Sequence, residues 1–154
     1  MSKMYEHHKK KAEYKHRLIY NYLMKNLPGT TSNYDHDDGL DCWFKFNDKT
    51  TWVEIKTCNR IVKNNFKRQD GSPMVMYEHN LGRFHFDKKQ NAELLEKDGW
   101  YVFAVGCSVM FGLKAKELGL VFTDKPIKKL SWLDVVVKTY PDWLRRLKIS
   151  VYQI

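Results

Sequence analysis

Apolar and polar positions alternate along this chain with periods that change several times. From about Lys3 to Asn26, Tyr14, Leu18, Ile19, Tyr22 and Leu23 recur at three- and four-residue spacing, which predicts a helix with those five as its apolar stripe. Leu27-Pro28-Gly29 stops it. Thr30 to Gly39 reads as a polar loop ending in His36-Asp37-Asp38-Gly39. Leu40 to Phe46 then alternates with period two, predicting a strand with Cys42, Phe44 and Phe46 on one face and Asp41, Trp43 and Lys45 on the other. Asn47-Asp48-Lys49 is a turn. Thr50 to Cys58 is a second strand, with Val53, Ile55 and Thr57 opposite Trp52, Glu54, Lys56 and Cys58, so the two strands form a hairpin.

Asn59 to Asn80 is a long, basic, polar connection carrying Arg60, Lys63, Lys67 and Arg68, with a turn at Asp70-Gly71-Ser72-Pro73. Arg83 to Phe86 is extended. Asp87 to Asp98 predicts a second helix, with Asp87 as N-cap, Leu94 and Leu95 as apolar face and Gly99 as stop. Trp100 to Gly106 is continuously apolar, the pattern of a strand inside a sheet. Val109 to Leu113 reads as a further strand. Ser131 to Tyr140 reads as a helix capped by Ser131, with Trp132, Val135 and Val136 inward, and Trp143 to Lys148 as a last short helix after Pro141. This order predicts an α/β sandwich around a mixed sheet. One domain is expected over residues 1–154, with a core of about 3–113 and a C-terminal helical extension of about 114–154.

Composition narrows the class. With 43% hydrophobic and 14% aromatic residues, the chain has material for a core and is not a disordered segment. No apolar run approaches the roughly 20 residues of a membrane helix. Met1 to Lys15 lacks the apolar centre of a secretory signal. A soluble, cytoplasmic protein is expected. Cys42, Cys58 and Cys107 are odd in number and form no CxxC pair, which argues against a disulfide framework or structural zinc and for free thiols in a reducing compartment. The net charge of +9 favours a polyanionic partner, nucleic acid above all. A merely soluble basic protein is the other account, and charge separates neither DNA from RNA nor binding from cutting. Lys63, Lys67 and Arg68 are candidate phosphate contacts, with a plain solvated loop as the competing account.

The chemistry concentrates in Gly39-Leu40-Asp41 and, twelve residues on, Glu54-Ile55-Lys56. A phosphodiester hydrolase needs a divalent cation to polarise phosphate and acidify water, and hard cations take carboxylate oxygens. It also needs a nearby positive charge to hold the water and offset charge on phosphate. Glu54 and Lys56 share a face of their strand, and with a turn near Asp48, Asp41 pairs at or next to Ile55 and falls close to Glu54; the turn type decides the exact pairing and whether the two acids share a face. Ile55 can offer its backbone carbonyl to the same ion. The alternative is a solvated hairpin with an ordinary Glu–Lys surface pair. Aromatic and apolar residues on both faces favour a central hairpin, where charges must be paired or bind metal.

Those residues resemble the motif of the PD-(D/E)XK nuclease superfamily, which includes restriction enzymes and Holliday junction resolvases. Leu40 stands where the naming proline is usual. The likeness runs from about Glu13 to Gly106 and includes Phe86-Asp87-Lys88-Lys89-Gln90 and Gly99-Trp100-Tyr101-Val102. It implies a restriction-endonuclease-like sandwich, a mixed central sheet flanked by helices. It implies Asp41 and Glu54 as ligands of Mg²⁺ (Mn²⁺ substituting), Lys56 as the residue that orients water, and Gln90 as a supporting side chain. Relatives often place a glutamate on the first helix, where Glu13 is the nearest candidate. At about 100° per residue Glu13 lies almost opposite Leu18, Ile19 and Tyr22, and a solvent-facing pair with Arg17 is the other account. The compact build is most similar to the resolvase-like members. Those usually act as dimers on DNA, so a homodimer in a prokaryotic or phage-infected cell is one expectation. His79-Asn80 and His85 evoke an HNH-type site, but the required strand-strand-helix order is not evident.

Overall fold

The structure, a computed structural model, describes residues 3–27, 29–31, 39–63, 79–106 and 109–139. Helix α1 spans Lys3–Asn26, followed by the two-residue strand β1, Thr30–Thr31. Strands β2 (Cys42–Phe46) and β3 (Lys49–Cys58) form the expected hairpin. Asn47 and Asp48 both have positive φ, 49° and 61°, which gives the two-residue turn whose twist suits paired strands. That turn sets the register: Cys42 lies opposite Val53 and Phe46 opposite Lys49.

Strand β4 (Ile61–Lys63) pairs antiparallel with β5 (His79–Leu81), so the predicted long connection is tied at both ends. Lys67 and Arg68 lie outside the described residues, as do His36, Asp37, Asp38, Cys107, Pro141 and the helix expected at Trp143 to Lys148. Strand β6 (Arg83–Asp87) leads into α2 (Lys88–Glu96), and β7 (Trp100–Val105) returns parallel to β3. Strand β8 (Val109–Lys114) closes the sheet antiparallel to β7, giving the order β1-β2-β3-β7-β8. A short helix α3 (Ala115–Leu118), strand β9 (Ile127–Ser131) and helix α4 (Trp132–Thr139) complete the described chain. This is a mixed sheet with helices on its faces, as predicted.

Two apolar layers sandwich the sheet. Under α1 lie Tyr20, Leu23, Cys42, Phe44, Val53, Ile55 and Val102. On the other face Phe84, Phe86, Tyr101 and Phe103 pack ring against ring, with Leu94, Trp132, Val135 and Val136 around them. Between Ala115 and Thr139 the chain adds a strand as well as helices: β9 pairs with β6, and Ala115, Leu118 and Trp132 belong to the same core as Phe103. One expectation needs correction here: the α1 stripe is rotated. Tyr20 and Leu23 are buried, while Tyr14, Leu18 and Tyr22 are half exposed or more. The buried turn carries a polar residue, His16, which hides it from a hydrophobic count.

Capping follows the sequence closely. The Asp87 carboxylate accepts from the backbone N–H groups of Lys89 (2.9 Å) and Gln90 (3.0 Å). The Ser131 hydroxyl accepts from Asp134 N (3.1 Å). Of the two leucines expected inward on α2, Leu94 is buried and Leu95 is exposed. No helix among the described residues is long and apolar enough to cross a membrane.

Candidate active site

The hairpin and the parallel strand together create the site. Strand β3 pairs with β2 from Lys49 to Val53 and with β7 from Val53 to Cys58. Past Val53, therefore, the β2 side of β3 has no backbone ladder partner from that hairpin. Asp41, the residue just before β2, fills the place. Its Oδ2 accepts the Ile55 backbone N–H at 2.7 Å, and its own N–H donates to Glu54 Oε2 at 3.2 Å. Gly39, two residues earlier, has φ of +77° with nothing near its missing Cβ. Its left-handed backbone is what favours glycine there.

Asp41 and Glu54 are each only 3% exposed. Two carboxylates buried side by side repel each other and lose hydration, so they require positive charge. Lys56 supplies part of it: its Nζ donates to Glu54 Oε1 at 3.3 Å and to Gln90 Oε1 at 3.1 Å. The predicted Asp41, Glu54, Lys56 and Gln90 thus form one connected cluster, with Gln90 placed by the capped first turn of α2.

Behind it, Tyr101 sits opposite Glu54 in the β3–β7 register, and its hydroxyl donates to Asn91 Oδ1 at 2.8 Å. Burial pushes the Tyr101 phenol up out of its usual range, with the Glu54 and Asp87 charges adding to it. The bond fixes α2 on β7 and hence the approach of Gln90 to Lys56. Tyr101→Phe, which strands the buried Asn91 amide, is expected to cost about 1–3 kcal/mol in urea unfolding. The neighbouring Cys42 thiol is pushed up to about 12 by burial, then by Asp41 and Glu54, and is a neutral core residue.

Helix α1 brings a residue that the sequence reading passed over. His16 Nδ1 stands 3.9 Å from Asp41 Oδ2, on the buried side of the helix. Its signal was available, since Ile19, Tyr20 and Leu23 follow it at three-, four- and seven-residue spacing. Glu13 instead pairs with Arg17 at 3.4 Å, the solvent-facing account. Strand β6 adds His85, directly opposite Lys129 on β9. Partial burial and then the Lys129, Arg83 and Lys56 charges hold His85 below its ordinary 6.5. Folding therefore favours the neutral ring, and the fold loses this contribution as pH falls below 6.5. In an NMR titration His85 is expected to titrate below that value, and to shift upward in Lys129→Ala.

The donor set suits a hard divalent cation. Asp41 and Glu54 bring their carboxylates to adjoining backbone groups, Asp41 Oδ2 to the Ile55 N–H and Glu54 Oε2 to the Asp41 N–H. In a strand a residue's N–H and C=O leave by the same edge. The Ile55 carbonyl thus faces the edge where Asp41 meets the Ile55 N–H. Among the described residues no three His, Cys, Asp or Glu side chains gather as a ready-made metal cage; the oxygens that could meet an ion here are those of two carboxylates and a carbonyl. A cleft of about 430 Å³ between Leu23, Leu27, Phe44, Phe46 and Trp100 is apolar and lies on the α1 side of the sheet, lined by none of these groups.

A family model described as a PD-(D/E)XK nuclease superfamily domain matches residues 5–140. No curated protein and no solved structure gives a match.

Proposed function

The chain belongs to the PD-(D/E)XK nuclease superfamily, and from that premise we propose that it is a metal-dependent endonuclease hydrolysing DNA phosphodiesters at the Asp41–Glu54–Lys56 cluster. The observation that carries this reading is the burial of two carboxylates against one ammonium on the open edge of β3. Asp41, Glu54 and the Ile55 carbonyl would hold Mg²⁺, or Mn²⁺ in its place, which when bound would polarise the phosphate and make a water more acidic.

The protein's own groups do the rest. Glu54 and Gln90 hold the Lys56 ammonium from two sides, so it enters the reaction without paying for reorganisation. Its remaining proton donor points a water at phosphorus or meets charge on the phosphate oxygens. Asp41 keeps the β3 edge closed through Ile55 N–H, which fixes the carboxylate relative to Glu54. His16 borders the same carboxylate from α1 and limits its side-chain freedom.

Within the superfamily we place the chain with resolvase-like nucleases acting on branched DNA as homodimers; the support is the compact build noted in the sequence. A duplex-cutting restriction or repair enzyme uses the same chemistry. Incubation with plasmid, linear duplex and four-way junction, in Mg²⁺ or EDTA, separates them. Cleavage confined to the junction and abolished by EDTA is the expected result. Site-specific duplex cutting transfers the chain to the restriction type. Salt-sensitive binding with no cutting in any metal removes the hydrolase reading.

A further inference from the structure

Next to the acidic pair lies a second feature that no residue above accounts for. Between α1 and the end of β3 is a cleft of about 210 Å³ lined by Lys11, Ala12, Lys15, Thr57, Cys58 and Asn59. Resting on the nuclease reading, we propose that this cleft is a phosphate subsite, which holds a backbone phosphate of the substrate strand beside the scissile one.

The chemistry of its walls points to an anion. Among the described residues no carboxylate lines it. Lys11 and Lys15 are one helical turn apart, an arrangement that costs stability through like-charge repulsion. The positions three and four residues from Lys11 are His7, His8, Tyr14 and Lys15, and those from Lys15 are Lys11, Ala12, Leu18 and Ile19, so no acid on α1 relieves the pair. Lys15 Nζ donates to Asn59 Oδ1 at 3.1 Å, which leaves the Asn59 amide NH₂ as a further donor. Thr57 adds a hydroxyl. The Cys58 thiol, pushed up to about 12 by burial against the opposing pull of Lys15, is neutral and supplies no counter-charge.

The far wall is rigid. Gly106 N donates to Cys58 O at 2.9 Å, and the Arg60 carbonyl accepts from both Gly82 N (3.1 Å) and Trp132 Nε1 (2.9 Å). Asn59 is thus held between clamped neighbours, as a recognition site requires. Position completes the argument. Thr57 shares the α1-facing side of β3 with Ile55, and Lys15 precedes His16 on α1, so the cleft lies on the side of β3 from which His16 meets Asp41. At about 3.3 Å per residue, Thr57 lies about 10 Å along β3 from Glu54. A substrate strand that crosses the β3 edge at Asp41 reaches the cleft within about two phosphate spacings.

The test is equilibrium binding of the full chain to a fluorescein-labelled single-stranded oligodeoxynucleotide, in EDTA, over a salt series. Lys11→Ala/Lys15→Ala is expected to weaken binding about tenfold near 0.1 M salt and to reduce the slope of log K against log salt by about one. Lys45→Ala/Lys49→Ala removes the same charge beside the β2–β3 turn, about 25 Å away, and is expected to stay within about twofold of wild type. Lys11→Arg/Lys15→Arg is expected to retain binding, and unfolding temperatures report that each variant is folded. Equal losses in the two alanine pairs, or an unchanged slope in the cleft pair, overturn the proposal. Metal-dependent cleavage by wild type with an unchanged slope removes the cleft and leaves the nuclease reading. Cleft-dependent binding without cleavage in Mg²⁺ or Mn²⁺ does the reverse.

Discussion

Asp41→Ala is expected to lower metal-dependent cleavage of DNA by about a thousandfold or more while the protein still folds. The carboxylate has two roles that substitutions can separate. As a charge, it is one of two anions buried at 3% exposure on the same edge. As an acceptor, it satisfies the Ile55 N–H at 2.7 Å. Alanine removes both, so stability falls by about 1–3 kcal/mol for the stranded N–H, offset in part by relief of repulsion with Glu54. Asp41→Asn keeps an acceptor and drops the charge. It is expected to be at least as stable as wild type without metal, and as inactive as the alanine variant. Plasmid cleavage rates in Mg²⁺ and urea unfolding in EDTA check both. An Asp41→Asn protein that cleaves within about tenfold of wild type contradicts the assignment.

Gly82→Ala is expected to destabilise the fold by about 3 kcal/mol or more, a large effect for one added methyl. The cause is steric: Gly82 is not among the positive-φ glycines. A Cβ there would overlap the Asn59 carbonyl oxygen and come within 2.6 Å of its carbon. Both obstacles are backbone, which no rotamer change can move aside. Relief requires Asn59–Arg60 to part from Gly82, with loss of the hydrogen bonds that Arg60 O accepts from Gly82 and Trp132. That junction anchors the end of β3, so reduced cleavage should accompany the lower urea midpoint. An unfolding free energy within about 0.5 kcal/mol of wild type would mean that the two segments are not in contact as described.

What could be read from the sequence and what could not divides along contact range. The hairpin was legible because alternation and turn residues are local, but its exact pairing hung on the turn type, which the positive φ of Asn47 and Asp48 sets. Asp87 and Ser131 announced their caps through residue type alone. The β6–β9 pair was hidden because Ile127–Ser131 carries two lysines and pairs with residues some forty positions earlier, where no local pattern reaches. His16 was hidden by its polarity inside the buried turn of α1, while Tyr14, Leu18 and Tyr22 drew the stripe onto the outer face. The cleft of Lys11, Lys15 and Asn59 joins elements 44 residues apart and exists only once α1 has packed on β3.

The central claim is that Asp41 and Glu54 face one shared cation. Isothermal titration of the metal-free protein with Mn²⁺ measures this without reference to activity. A saturable site that is lost in both Asp41→Asn and Glu54→Gln, each still folded, is the predicted result. Manganese uptake unchanged in either variant would contradict it.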